Sequence, residues 1–93
     1  MMKERRSKPR KEKQMRGFFN LDGEMVEIKV RDAAEVGVGV NASRHFREGQ
    51  QGVLLVKEGS KVEELLGEVC WCMLDPMSDD ARYPYRAGIR VLA

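Results

Sequence analysis

The first 16 residues of this 93-residue chain carry a dense set of basic side chains. Eight of the 17 Lys and Arg lie in this segment: Lys3, Arg5, Arg6, Lys8, Arg10, Lys11, Lys13 and Arg16. Only Glu4 and Glu12 oppose them, which gives a formal charge of +6, whereas the other 77 residues hold nine basic and 13 acidic side chains, or −4. A short cationic segment before an acidic body is suited to binding an anion, most simply one that carries phosphate groups.

The remaining reactive side chains do not indicate catalysis or a metal site. The sequence offers no nucleophile–base pair, no paired carboxylates and no P-loop, so we expect no enzymatic activity. His45, Cys70 and Cys72 are three possible metal ligands, but a fourth is missing and the two cysteines have strand-like C-x-C spacing. We therefore expect no metal or cofactor, and reduced thiols in place of a disulfide.

Length and composition bound the organisation of the chain. A chain of 93 residues predicts one domain, with residues 1–15 as a mobile basic arm interrupted by Pro9 and residues 16–93 as the folded body. No apolar stretch approaches the ~18 residues that a membrane span needs, and no apolar segment follows the basic N-terminus. We expect a soluble, cytoplasmic protein without a membrane span.

Alternating apolar residues predict strands in the first half of the body. Val26, Ile28 and Val30 alternate with charged residues, which is typical of a half-buried strand. The Asp22-Gly23 pair predicts a hairpin in which residues 16–21 are the antiparallel partner.

A second alternation consists of three valines whose opposite face carries glycines: Val36, Gly37, Val38, Gly39 and Val40. Because glycine weakens a strand, two on one face indicate either a close approach to the backbone or a bulge or barrel corner.

The second half of the body predicts further strands. Residues 53–56 form a short apolar run, and Val69, Trp71 and Met73 are predicted to share one face of a later strand. The capping-box pattern at residues 60–63 suggests a short helix, but too few residues follow it, which favours an extended segment from 61 to 74. Five to seven short strands indicate an antiparallel barrel or sandwich, and a barrel suits a small chain because closure removes exposed edges.

Four motifs, in this order along the chain, resemble those of one protein family. They are an R-x-x-x-R on the basic arm, the segment D-A-A-E-V-G, and two later strands, at residues 6–10, 32–37, 67–71 and 85–91. Together they resemble the PilZ domain, a bacterial receptor domain for cyclic di-GMP. The resemblance implies an all-β fold, a small six-stranded antiparallel β-barrel with a flexible basic N-terminal arm.

The resemblance also implies nucleotide-binding positions: Arg5, Arg6, Arg10, Asp32, Ala34, Gly37 and Trp71. Arg6 and Arg10 would clasp the dinucleotide, because a planar guanidinium pairs with guanine O6 and N7 or grips a phosphate. Asp32 would accept from the guanine N1 and N2 donors, and Gly37 would let the barrel surface come close. Trp71 would stack on a base.

One residue departs from the family pattern. Ala34 stands where the pattern has serine, so a hydroxyl that would bind the ligand is absent. The loss of one hydrogen bond costs about 0.5–1.5 kcal/mol, or roughly threefold to tenfold in affinity. The function implied is a cyclic di-GMP receptor whose arm orders over the barrel on binding and signals to an unidentified downstream protein.

Other interpretations remain open. The chain is alternatively a divergent PilZ-like protein-interaction module that binds the nucleotide weakly or not at all. A third reading is an arm that grips RNA or DNA in general; the acidic body argues against it, so we expect no general nucleic-acid binding. At single positions, Asp32 is alternatively a turn residue and Trp71 a core residue.

Overall fold

The structure is a computed structural model that describes residues 15–92. In this part of the chain the secondary structure consists of six strands, β1 (Met15–Leu21), β2 (Glu24–Ala33), β3 (Gly37–Ala42), β4 (Gln51–Glu58), β5 (Lys61–Leu74) and β6 (Tyr85–Val91). All neighbours pair antiparallel and close into a barrel in the order β1-β2-β3-β6-β5-β4. The predicted six-stranded antiparallel barrel is confirmed. Met15, assigned above to the arm, is the first residue of β1.

The first hairpin forms where the turn residues predict it. Asp22 and Gly23 take the positive φ angles of 59° and 93° that a two-residue hairpin turn requires. The side-chain oxygen of Asn20 accepts a hydrogen bond of 2.9 Å from the Gly23 N–H. The extended reading of residues 61–74 is also confirmed, because β5 runs unbroken from Lys61 to Leu74.

Inward-facing apolar side chains from all six strands fill the barrel. The buried core residues are Phe19, Leu21, Val26, Ile28, Val30, Val38, Val40, Ala42, Phe46, Leu54, Val56, Val69, Ala87 and Ile89. Phe46 comes from the loop between β3 and β4 and meets Phe19 edge to face, with ring centroids 5.2 Å apart. Since β1 pairs with both β2 and β4, the described strands have no open sheet edge.

The valine alternation at residues 36–40 is only partly correct. Val38 and Val40 are buried on β3, but Val36 is 72 % exposed. Val36 lies in the turn between β2 and β3, where the Ala34 N–H donates to the Gly37 carbonyl at 2.8 Å. Because the side chains of a turn do not alternate between two faces as those of a strand do, the alternation of buried valines does not extend to position 36.

The prediction that Val69, Trp71 and Met73 share one face is wrong. Val69 is 1 % exposed inside the barrel, whereas Trp71 is 38 % exposed and Met73 also lies outside. A bulge causes the change of face: Val69 lies opposite Ile89, but the next paired residue is Trp71, so Cys70 is an extra residue in β5.

A long loop between β5 and β6 is held to the barrel by one buried polar side chain, Asn41. Its Nδ2 donates to Asp75 Oδ2 at 3.1 Å and to the Tyr85 carbonyl at 3.2 Å. Its Oδ1 accepts from Arg31 Nη1 at 3.1 Å. This network fixes the loop against the outer surface of β3. Residues 15–92 contain no helix long and apolar enough to cross a membrane.

Candidate ligand-binding surface

Four residues on four neighbouring strands form one row across the outside of the barrel. Asp32 on β2 lies opposite Gly39 on β3, and Gly39 lies opposite Gly88 on β6. Gly88 in turn lies opposite Trp71 on β5. Directly paired residues share one face of a sheet, so all four face outward. We call this row of four residues, Asp32, Gly39, Gly88 and Trp71, the glycine shelf.

The Asp32 side chain covers Gly39, and the Trp71 side chain covers Gly88. A Cβ at Gly39 would lie 2.6 Å from Asp32 Oδ1, and a Cβ at Gly88 would lie 2.7 Å from Cε2 of the Trp71 indole. The expectation of a close approach to the backbone at Gly39 is therefore confirmed, and the approaching group is the Asp32 carboxylate of the chain itself. The Cα atoms of Asp32 and Trp71 are three strand spacings apart, or ~14 Å.

Two bulges give Asp32 and Trp71 their outward orientation. In β2 the register passes from Val30 opposite Val40 to Asp32 opposite Gly39, so Arg31 is an extra residue. Cys70 has the same role in β5. If Arg31 and Cys70 were regular paired residues, the strict alternation of the strands would turn Asp32 and Trp71 into the core. The bulges flank the shelf at the same level, which brings a carboxylate and an indole to opposite ends of it.

Arginines border the shelf on both sides. On one side Arg90 lies opposite Gly37 and forms an ion pair with Glu68, with Nη2 2.6 Å from Oε1. On the other side Arg86 lies opposite Asn41.

Beside that second border, Asp75 is shared by several donors. Arg31 Nη1 is 3.6 Å from Asp75 Oδ2. The hydrogen bond from Asn41 lowers the pKa of Asp75 most, with smaller contributions from the Met77 N–H and the charges of Arg86 and Arg31, while burial opposes the change. Arg31 thus lies within ion-pair distance of this carboxylate, whereas Arg86 acts on it only through its charge.

The structure brings several of the predicted site residues together. Asp32 and Trp71 end the shelf, and Gly37 lies two residues from Gly39 on the same face of β3. A Cβ at Gly37 would lie 3.3 Å from the Ile89 carbonyl oxygen, a milder crowding than at Gly39.

Ala34 is exposed and is bonded to Gly37 through the turn, so it borders the same surface. Trp71 lies outside the barrel, not in its core. The predicted residues Arg5, Arg6 and Arg10 lie outside the described part of the chain.

Sequence reasoning overlooked Gly88 and Arg86 as members of this surface. Gly88 separates two buried residues, Ala87 and Ile89, just as Gly39 separates Val38 and Val40. Glycines at outward positions of two strands are the signal that would have indicated a shared feature. Their pairing depends on β3 and β6 being neighbours, which the sequence pattern does not state.

Other features do not add to this surface. A cavity of about 290 Å³ opens at one end of the barrel, lined mainly by apolar residues such as Met15, Val30 and Leu65. It lies inside the barrel, whereas the shelf lies outside.

Cys70 and Cys72 are free thiols, and Cys72 Sγ accepts a hydrogen bond from the Phe46 N–H. Within residues 15–92 no three His, Cys, Asp or Glu side chains are grouped so that they could hold a metal ion.

No protein-family model, no curated protein and no solved structure matches the chain.

Proposed function

We propose that this protein is a cytoplasmic cyclic di-GMP receptor of the PilZ type. The glycine shelf forms one half of its binding site, and the basic arm forms the other. The observation that carries the proposal is the in-register row of Asp32, Gly39, Gly88 and Trp71 on the outer surface. This row offers a flat surface with an acceptor at one end and an aromatic ring at the other.

The chemistry of the shelf suits a guanine dinucleotide. A carboxylate such as Asp32 accepts from the N1 and N2 donors of guanine, which adenine does not offer in that arrangement. An exposed indole stacks on a base, and such stacking is worth about 1–3 kcal/mol. The ~14 Å between the Cα atoms of Asp32 and Trp71 lets the two ends of the shelf meet different parts of one dinucleotide.

The position of Met15, the first described residue, also supports a site that is divided between the barrel and the arm. Met15 pairs with Val30, two residues before Asp32 in β2. Arg10 precedes Met15 by five residues, and five extended residues span at most ~18 Å. The middle of the shelf lies between two and three strand spacings from β1, or ~10–14 Å. Arg10 is therefore within reach of the shelf, and Arg6, nine residues before Met15, is within reach of either end.

Binding changes the charge and shape that a partner meets. The first 16 residues carry a formal charge of +6, and the phosphates of the ligand neutralise part of it. An arm held across the shelf presents a new surface to a downstream protein. Since ordering the arm costs conformational entropy, the affinity is moderate, in the range of about 1 µM.

Calorimetric titration with cyclic di-GMP tests the proposal. The wild type binds, whereas Arg10→Ala and Asp32→Ala each bind at least about tenfold more weakly, because each loses a charged hydrogen bond. Arg44→Ala is the matched control, since Arg44 is exposed and pairs only with Glu24 among the described residues. Absence of binding by the wild type, or equal binding by all variants, contradicts the proposal.

A second candidate function is a protein-interaction module of the same fold. The observation that favours it is a group of exposed apolar side chains beside the shelf, with Met73 56 % and Met77 86 % exposed. Exposed methionines adapt to varied partner surfaces. Amide NMR with saturating cyclic di-GMP separates the two functions. Shifts confined to residues 4–12, residues 32–39 and the surroundings of Trp71 support the receptor, and an unchanged spectrum supports the module.

A further inference from the structure

Arg86 lies at the border of the glycine shelf, two residues from Gly88 on the same outer face of β6. It is opposite Asn41 on β3 and Met73 on β5. Trp71, two residues before Met73, is its diagonal neighbour, and diagonal pairs lie within reach of long side chains. Along β6 the Cα atoms of Arg86 and Gly88 are ~7 Å apart. A base stacked on the Trp71 indole, which covers Gly88, therefore has Arg86 beside it.

The three arginines at the shelf differ in how far they are already engaged. Arg90 is held by Glu68 at 2.6 Å. Arg31 donates to Asn41 at 3.1 Å and lies 3.6 Å from Asp75. Arg86 is exposed and forms no salt bridge or side-chain hydrogen bond with any residue between 15 and 92.

Asp75 is the carboxylate near Arg86, but it already accepts from Asn41 and from the Met77 N–H and lies beside Arg31. Arg86 acts on Asp75 only through its charge. The donors of its guanidinium are thus available to an anion, and a guanidinium binds phosphate oxygens with two parallel hydrogen bonds.

We infer that Arg86 donates to a phosphate of the nucleotide that lies on the glycine shelf. This inference rests on the proposed function and deepens it. It adds a phosphate contact on the barrel to those that the arm supplies. The barrel then binds both a base, through Trp71 and Asp32, and the backbone of the dinucleotide, through Arg86. Such a contact favours the dinucleotide over an uncharged guanine compound of similar size.

Calorimetry with cyclic di-GMP on four proteins tests this inference: the wild type, Arg86→Ala, Arg86→Lys and the control Arg44→Ala. Arg86→Ala weakens binding by about tenfold or more, because a charged hydrogen bond is lost. Arg86→Lys keeps the charge and recovers part of the affinity, and Arg44→Ala binds like the wild type. In about 1 M salt the deficit of Arg86→Ala shrinks, because screening acts over about 3 Å.

The outcomes separate this inference from the proposed function. If the wild type binds and Arg86→Ala binds equally well, Arg86 is not a ligand residue, and the receptor function stands. A deficit of Arg86→Ala that salt leaves unchanged also overturns the phosphate contact. If the wild type does not bind, the proposed function fails and the inference falls with it. Melting curves show whether each variant is folded. If Arg86→Ala does not fold, the affinities of Arg86→Lys and Arg44→Ala decide whether Arg86 contacts the ligand.

Discussion

The indole of Trp71 lies across Gly88 and occupies the space that any larger residue at position 88 would need. An exposed tryptophan is usually free to take several rotamers, but this one rests against the backbone of the neighbouring strand. The orientation of the ring is therefore set by the absence of a side chain opposite it. The shelf is defined as much by its glycines as by the groups at its ends.

Gly88→Ala should displace the indole. The added Cβ would lie 2.7 Å from Cε2, so the ring must move away from the barrel. Because the chain has one tryptophan, its fluorescence emission shifts to longer wavelength as the ring becomes more exposed to water. Overpacking of this kind costs about 1–3 kcal/mol of unfolding free energy. Gly37→Ala is the matched control, since its Cβ would meet only the Ile89 carbonyl oxygen, at 3.3 Å, among the described residues. An unchanged emission in Gly88→Ala would contradict the described contact.

Ala34→Ser should raise the affinity for cyclic di-GMP. Ala34 is exposed in the turn that borders the shelf, and a hydroxyl there gains one hydrogen bond to the ligand. We expect binding to tighten roughly threefold to tenfold in a calorimetric titration. Ala33→Ser, one residue earlier, is the control and should leave the affinity unchanged. Equal affinities of Ala34→Ser and the wild type would show that position 34 does not meet the ligand.

Asn41→Ala should destabilise the fold. The side chain is buried and bonds Arg31, Asp75 and the Tyr85 carbonyl, so its removal leaves several groups without partners. We expect a loss of about 2–3 kcal/mol in the free energy of unfolding, measured with urea. Asn20→Ala is the control.

Within residues 15–92 the Asn20 side chain makes one hydrogen bond, an exposed one from the Gly23 N–H, so its loss should cost less than about 1 kcal/mol. Equal losses for both variants would contradict the central position of Asn41.

Acid should weaken the loop between β5 and β6. The hydrogen bonds from Arg82 are the main cause that lowers the pKa of Asp80 from 3.8 to about 2. A carboxylate with a lowered folded pKa stabilises the fold above its unfolded pKa, and the contribution is lost as the pH falls through the folded pKa. The difference in melting temperature between the wild type and Asp80→Asn should therefore be largest above about pH 4 and vanish towards about pH 2.

Asp79→Asn is the control for this acid effect, since the Asp79 side chain is strongly exposed and its only ion-pair contact among residues 15–92 is with Lys29 at 3.9 Å. Its melting temperature should stay close to that of the wild type throughout. A difference for Asp80→Asn that persists unchanged at low pH would show that Asp80 acts through packing and not through its charge.

Much of the fold was predictable because local chemistry determines it. Asp22 and Gly23 specify the first hairpin through their left-handed backbone angles, and the alternation around Ile28 specifies which face of β2 is buried. Residues 61–74 are predicted to be extended, because a helix in this segment would be too short to form by itself. These signals span only a few residues, so one sequence suffices to read them.

The candidate site was predictable only in part, because bulges and strand order are not local. A pattern with a period of two assigned Trp71 to the face of Val69, and the extra residue Cys70 reverses that assignment. The partnership of Gly39 with Gly88 arises from β3 and β6 being neighbours, although they are far apart in the sequence. Phe46 and Asn41 likewise owe their burial to loops and networks that a strand pattern does not report.

The position of β6 between β3 and β5 has a consequence for the protein during its synthesis. β6 follows the other five described strands along the chain, yet it supplies Gly88 from the middle of the shelf. A nascent chain that has not yet released β6 from the ribosome therefore holds Asp32 and Trp71 without the strand that joins them. Pairings of such long sequence separation also form late and slowly. The row from Asp32 to Trp71 is thus complete only after β6 has been synthesised and has paired with both β3 and β5.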